Sequence, residues 1–185
     1  MSEIVIEEVS DRGMIDLKGD PAAPGFRNGV ASVLGLDLPL EPRSSAASGE
    51  TTVLWLSVDQ WLITVPYDQA GQLTARLAAA LAEHHALVVD LSDARTIFRL
   101  RGLGAREVVM KGASADLTQT DYRAGTVRRL SFAELAAMVH VVSDTPEILD
   151  LYVFRSVGHY VREFLETAAR PEARVVLWGR EANSE

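Results

Sequence analysis

Apolar and polar positions along this chain switch repeatedly between a two-residue and a helical period. Met14 to Lys18 reads as a brief strand. Asp20 suits a helix N-cap and Pro21 the first helical position, where a missing N–H costs nothing. Phe26, Val30, Val33 and Leu34 recur at helical spacing, and Gly35 is a stop signal. Leu38 to Pro42 is extended, because a residue before proline is pushed out of the α region. Arg43 to Glu50, rich in Ser, Ala and Gly, reads as loop. Two β runs, Thr52–Leu56 and Trp61–Val65, flank Ser57–Gln60 as a hairpin. A helix from about Gln69 to Glu83 follows, with Leu73, Leu77, Ala80 and Leu81 on one face. Ala86 to Leu91 is nearly all apolar, which predicts a central strand.

The second half repeats this plan. Asp90 to Thr96 is a polar corner between two β runs, the form a joint between two halves would take. Thr96–Leu100 is a strand and Gly104–Lys111 a short helix with Ala105, Val108 and Val109 inward. Thr126 to Val142 supports two readings. Ser131 with Glu134 fits a helical capping box, whereas the alternation around Leu130, Val139 and Val141 fits a hairpin. Ile148–Arg155 alternates as a strand. Ser156 then suits the cap of a helix striped by Val157, Tyr160, Val161, Phe164 and Leu165. Arg174–Trp178 is a candidate last strand or docking tail. The element order matches two split β-α-β units of ferredoxin type, an α+β fold. We expect one compact domain over 1–185 made of two similar halves, roughly 12–91 and 92–170, with short flexible termini.

Composition narrows the functions. The chain has 185 residues, 48% of them apolar, enough for a sizeable core. Its formal net charge of −8 argues against a grip on nucleic-acid phosphates. It has no cysteine, which removes disulfides, thiolate metal sites and a cysteine nucleophile. The acidic first ten residues, an exposed tail or short edge strand, do not resemble a secretory signal. No run reaches the roughly 18 apolar residues of a membrane helix. A cytoplasmic protein is expected.

No candidate for chemistry outweighs its plainer explanation. His84 and His85 are adjacent, so on a helix they point about 100° apart; interaction with the helix C-terminus explains them without a metal. His140 and His159 read as packing or surface residues. Asp90, Asp93 and Arg95 could clamp a carboxylate. We favour a structural role, with Asp90 and Ser92 bonding the corner's backbone and Arg95 tying the halves together. Gly102–Arg106 lacks the third glycine of a dinucleotide fingerprint and the Gly-Lys-Ser/Thr of a P-loop, so it reads as a turn and helix start. Arg123, Arg128 and Arg129 read as a solvated face. Trp55 and Trp61 are either core or, where exposed, a partner contact. No Ser-His-Asp order and no metal spacing stands out. We therefore assign no catalytic, cofactor-binding or metal residues to this chain.

Several segments in order carry a resemblance. They are Leu17–Pro21, Leu34–Pro39, Trp55–Leu62, Val88–Thr96, Leu100–Arg106, Lys111-Gly112, Asp116-Leu117 and Arg155-Ser156 with the Tyr160–Leu165 helix. Over roughly Leu17 to Ala169 the chain resembles the gamma subunit family of heterotetrameric sarcosine oxidase. That family is similar in turn to the folate-binding fold of aminomethyltransferases, with two ferredoxin-like halves, and this favours the hairpin at 126–142. The resemblance implies a subunit without its own cofactor, assembled with alpha, beta and delta subunits. Those partners would carry FAD, FMN, NAD and tetrahydrofolate and demethylate sarcosine to glycine. Where the family often has Gly-Cys-Pro, this chain has Gly112-Ala113-Ser114, which leaves the N-methyl amine open. The alternative is a free-standing folate-dependent aminomethyltransferase, using Asp90 or Asp116 with Arg95. A folate-fold protein of iron–sulfur assembly ranks last, because its motif is centred on cysteine.

Overall fold

A computed structural model describes residues 4–173. The chain opens on β1 (Val5–Val9) and β2 (Arg12–Lys18), followed by α1 (Pro24–Leu34). Then come β3 (Ser45–Ser48), β4 (Thr51–Ser57), β5 (Gln60–Pro66), α2 (Ala70–Ala80) and β6 (Leu87–Asp90). The remainder is β7 (Arg95–Arg101), α3 (Ala105–Met110), β8 (Val127–Phe132), β9 (Leu135–Asp144), β10 (Glu147–Phe154) and α4 (Gly158–Ala168). The strands form two five-stranded sheets in the orders β3-β4-β5-β2-β6 and β1-β7-β10-β9-β8. Setting β3 aside, the first sheet has the strand order of a ferredoxin-like unit. With β8 set aside the second has it too, but the slot beside β7 is taken by β1 from the start of the chain.

Burial explains the layering. On the first sheet Ile15, Leu17, Trp61 and Ile63 face outward and pack under Phe26 and Val30 of α1 and Leu73 and Leu77 of α2. On the second, Phe98, Leu100, Val139 and Leu151 pack under Val108 and Val109 of α3 and Val161 and Leu165 of α4. The opposite faces of the two sheets meet on Met14, Leu54, Leu62, Ile97, Val127, Met138 and Tyr152. The result is a helix–sheet–sheet–helix sandwich with both faces of each sheet covered. Among the described residues no helix is long and apolar enough to cross a membrane.

The hairpin reading of 126–142 holds. Ala133 and Glu134 take φ of 46° and 68°, the left-handed pair of a tight turn that matches strand twist, so the capping box never forms. Other expectations are corrected. The first helix begins at Pro24, and Asp20 instead accepts the Ala22 N–H at 2.8 Å in the preceding turn. Ser156 lies in a short 3-10 turn, and the last helix starts at Gly158 without a side-chain cap. The Ser-Ala stretch after Arg43 is not loop throughout, because Ser45–Ser48 pairs with β4. Strand β6 is an edge rather than a centre. Its Leu87 and Val89 stand opposite Lys18 and Asp16, beyond the reach of the other sheet, and are 45% and 36% exposed. The candidate strand Arg174–Trp178 lies outside the described residues.

Candidate functional site

The two sheets are sewn together along one edge by three consecutive residues. Arg43 adopts φ 68°, which turns the chain sharply before β3. Its carbonyl accepts the Val127 N–H of β8 at 2.8 Å, and the next carbonyl, Ser44, accepts the Trp55 N–H of β4 at 3.0 Å. Ser45 Oγ then donates to the Gly125 carbonyl at 2.9 Å and lies 3.1 Å from His140 Nε2.

Two open grooves flank this seam and share Arg43. One, of about 710 Å³, is lined by Glu41, Arg43, Ser45, Asp121, Arg123 and Gly125 among others. The other, of about 350 Å³, is lined by Arg43, Trp55, Val58, Arg128 and Arg129 with Leu56, Ser57 and Val127. Arg43 pairs with Asp121 at 2.9 Å and lies over the Tyr122 ring, 5.0 Å from its centroid; Arg128 lies 5.5 Å from the same centroid. The loop carrying Tyr122 is fixed from behind by Arg106, which donates to the Leu117 and Tyr122 carbonyls and to Asp144.

Behind the seam lies a buried polar group. Asp150, 4% exposed, receives a two-pronged bond from Arg99 across β7 and β10, both contacts at 2.6 Å. His140 stands opposite Asp150 on β9. Ser45, His140 and Asp150 therefore bring together the residue types of a hydrolytic triad, but the protons are placed wrongly. The Ser45 hydroxyl is committed to Gly125, so His140 Nε2–H is the donor to Ser45. Its Nδ1 is a buried atom with no hydrogen-bond partner among the described residues, and Asp150 is held by Arg99. A triad needs the serine to donate to the imidazole and the carboxylate to accept from the other nitrogen. Burial lowers the His140 pKa to about 4, with Asp150 opposing and Arg99 adding to the shift. Burial also raises the Tyr152 phenol pKa. With its imidazole neutral and its carboxylate paired to Arg99, this group is a locked joint and not a nucleophile with its base.

The sequence candidates separate in space. Asp90 Oδ1 accepts the Ser92 N–H and hydroxyl, and Ser92 Oγ accepts the Met14 N–H, so the corner is structural as expected. The tie across the corner comes from Asp93 and not from Arg95. Asp93 accepts from Tyr67 at 3.1 Å and from Arg155 at 3.0 Å. Arg95 instead lies over Phe154, 4.8 Å from its centroid. Burial holds its guanidinium below the ordinary value, the Arg129 charge adds to that, and Asp16 opposes it. Asp116 binds Thr118 on its own loop, so it joins neither Asp90 nor Arg95. The N-terminal amide of α3 at Arg106 donates to Glu147, which occupies the place a phosphate would need. Trp61 is core, 0% exposed, with its N–H donated to the Pro39 carbonyl, while Trp55 is half-buried in the groove. His84 packs against Gly25. Among the described residues no cluster of metal-ligating side chains occurs. Arg43, Tyr122, Ser45, Arg99 and Asp150 escaped the sequence reading. Arg99 and Asp150 occupy polar positions inside alternating strands and Ser45 begins β3, while Arg43 and Tyr122 lie in connecting segments.

A model of the sarcosine oxidase gamma subunit family matches residues 18–171. The chain belongs to that family. Among curated members, the sarcosine oxidase subunit gamma of Corynebacterium sp. (strain P-1) is 33% identical over 115 residues, 62% of this chain. That match spans 55% of the relative, so the chain covers about half the length of the curated gamma subunits it matches. In backbone it is similar to a chain of heterotetrameric sarcosine oxidase from Corynebacterium sp. U-96, with TM-score 0.84 and 23% identity over 94% of this chain and 87% of that one. It also shares its fold with aminomethyltransferase T of the glycine cleavage system from Bartonella henselae, with TM-score 0.69 and 14% identity over 89% of this chain and 45% of that one. The gamma-subunit family and the aminomethyltransferase thus share the paired ferredoxin-like architecture found here.

Proposed function

We propose that this chain is a non-catalytic gamma subunit of a heterotetrameric sarcosine oxidase. Family membership over residues 18–171 carries the reading. The locked Ser45–His140–Asp150 joint is consistent with it, because the best-formed polar group in the fold has its protons committed to structure. On this reading the chain supports assembly with alpha, beta and delta subunits in the cytoplasm. The partners hold FAD, FMN, NAD and tetrahydrofolate. The assembled enzyme oxidises the N-methyl group of sarcosine, reduces oxygen to hydrogen peroxide, and transfers the one-carbon unit to tetrahydrofolate.

Co-expression of the tagged chain with the flavin-bearing subunits tests this. The expected outcome is stoichiometric co-elution with a flavoprotein that releases peroxide from sarcosine, while the chain alone releases none. A chain that elutes alone from that co-expression would refute the subunit role. Tight calorimetric binding of tetrahydrofolate by the isolated chain would favour the aminomethyltransferase alternative.

A further inference from the structure

We propose that the groove beside Trp55 is the seat of an acidic segment of a partner subunit, one that presents carboxylates next to an apolar side chain. The inference rests on the subunit reading above. The whole chain carries a formal charge of −8, yet Arg43, Arg128 and Arg129 all line this groove and no acidic residue does. Of the three, Arg43 alone has an ion-pair partner among the described residues, the carboxylate of Asp121. Gathering like charges is unfavourable unless an anion neutralises them. Arg129 also acts on Arg95, whose charged form it disfavours.

The cations are pre-arranged. Arg43 and Arg128 both rest on the Tyr122 ring, and Tyr122 itself is 4% exposed and held by Arg106. Arg43 is already paired with Asp121 and its Nε and Nη2 are buried, so Arg128 is the stacked guanidinium left for a carboxylate, and being held on the ring it loses less freedom on binding one. Arg43 also borders the larger groove, where Glu41 and Asp121 offset Arg43 and Arg123, so the unbalanced positive charge is confined to the groove beside Trp55. At about 350 Å³ the groove beside Trp55 exceeds what one small anion occupies and suits side chains of a stretch of polypeptide. The apolar part of the surface has the same character. Trp55 is half-buried at the wall, and Val58, at the tip of the β4–β5 hairpin, is 74% exposed. Tryptophan, tyrosine and arginine are the residue types that dominate binding energy at protein interfaces.

The test uses the full chain co-expressed with the flavoprotein subunits, with affinity read at low and high salt. The wild-type complex is expected to weaken as salt rises. The Arg128→Glu/Arg129→Glu variant should bind at least about ten-fold more weakly and lose most of that salt dependence. Arg129→Glu alone, at an exposed side chain without an ion pair among the described residues, guards against misfolding of the double variant and should show part of the loss. Arg27→Glu on the far face of α1 should assemble like the wild type. A folded Arg129→Glu chain that assembles with wild-type affinity and salt dependence overturns the seat and leaves the subunit role standing. An equal loss in Arg27→Glu also overturns it, since net charge would then be responsible. So does a dimer of the isolated chain that Arg129→Glu dissolves, which would make a second copy the occupant. Failure of the wild type to assemble removes both readings.

Discussion

His140 shows how much a single side chain contributes when burial decides its charge. Its pKa falls from 6.5 to about 4 because the ring is taken out of water on β9. The folded state therefore prefers the neutral ring. That preference is fully present above pH 6.5 and is lost as pH drops through the window from 6.5 to about 4. At pH 5 the loss is about 2 kcal/mol. Urea unfolding across this range should show the decline, and His140→Gln, which retains a donor for Ser45, should flatten it. An unchanged pH slope in the variant would mean that other groups carry the effect. Nothing in the local sequence announced this, because a histidine in an apolar run looks the same whether its second nitrogen is satisfied or orphaned. Arg99 and Asp150 were hidden for a related reason. They occupy the polar positions of alternating strands, which normally face water. Here a second sheet covers that face, so the pair is buried and must satisfy itself.

At the scale of elements, close approach of backbone explains more than propensity does. Strand β2 passes the start of α2 so tightly that a Cβ on Gly13 would stand 2.5 Å from the Ala70 Cβ and 3.1 Å from Ser92 Oγ. Gly13→Ala is expected to cost about 1–3 kcal/mol through overpacking, read as a shifted denaturant midpoint at constant slope. A variant as stable as the wild type would show that α2 can move away freely. Most strands and all four helices were legible from periodicity, since Phe26, Val30, Leu73, Leu77, Val161 and Leu165 do line buried faces. Helix starts were less legible. Asp20 and Ser156 are good caps in isolation, but the chain uses both in the turn before the helix. The apolar run of β6 misled in another way. A strand buried on one face and merely uncrowded on the other has the same composition as one buried on both.

For the molecule as a whole, the informative feature is the placement of β1. Residues 5–9 read as an acidic tail or an edge strand, and they are an edge strand of the distant sheet. Ile4 and Ile6 pack on the second core, Glu7 pairs with Arg101, and Glu8 pairs with Arg162 on α4. Removing residues 1–9 should lower the stability of the entire chain by roughly 2–4 kcal/mol, from the partly buried side chains of Ile4, Ile6 and Val9 and a lost strand ladder. An unaltered unfolding midpoint would show the strand to be an ornament. The repeated pattern of elements did not announce this, because a split β-α-β unit completes its sheet with strands of its own half, whereas β1 crosses over from the other. The candidate groove was illegible for a similar reason. Arg43, Trp55, Tyr122 and Arg128 come from four separate stretches and meet only through the seam at Arg43–Ser45.

The same placement bears on how the polypeptide is made. During synthesis the opening strand leaves the ribosome long before β7 exists, and until then its backbone has no ladder to join. A bare extended segment of that kind invites pairing with neighbouring nascent chains. Glu7 and Glu8, the carboxylates that later clasp Arg101 and Arg162, place two negative charges on it, and like charges disfavour such pairing.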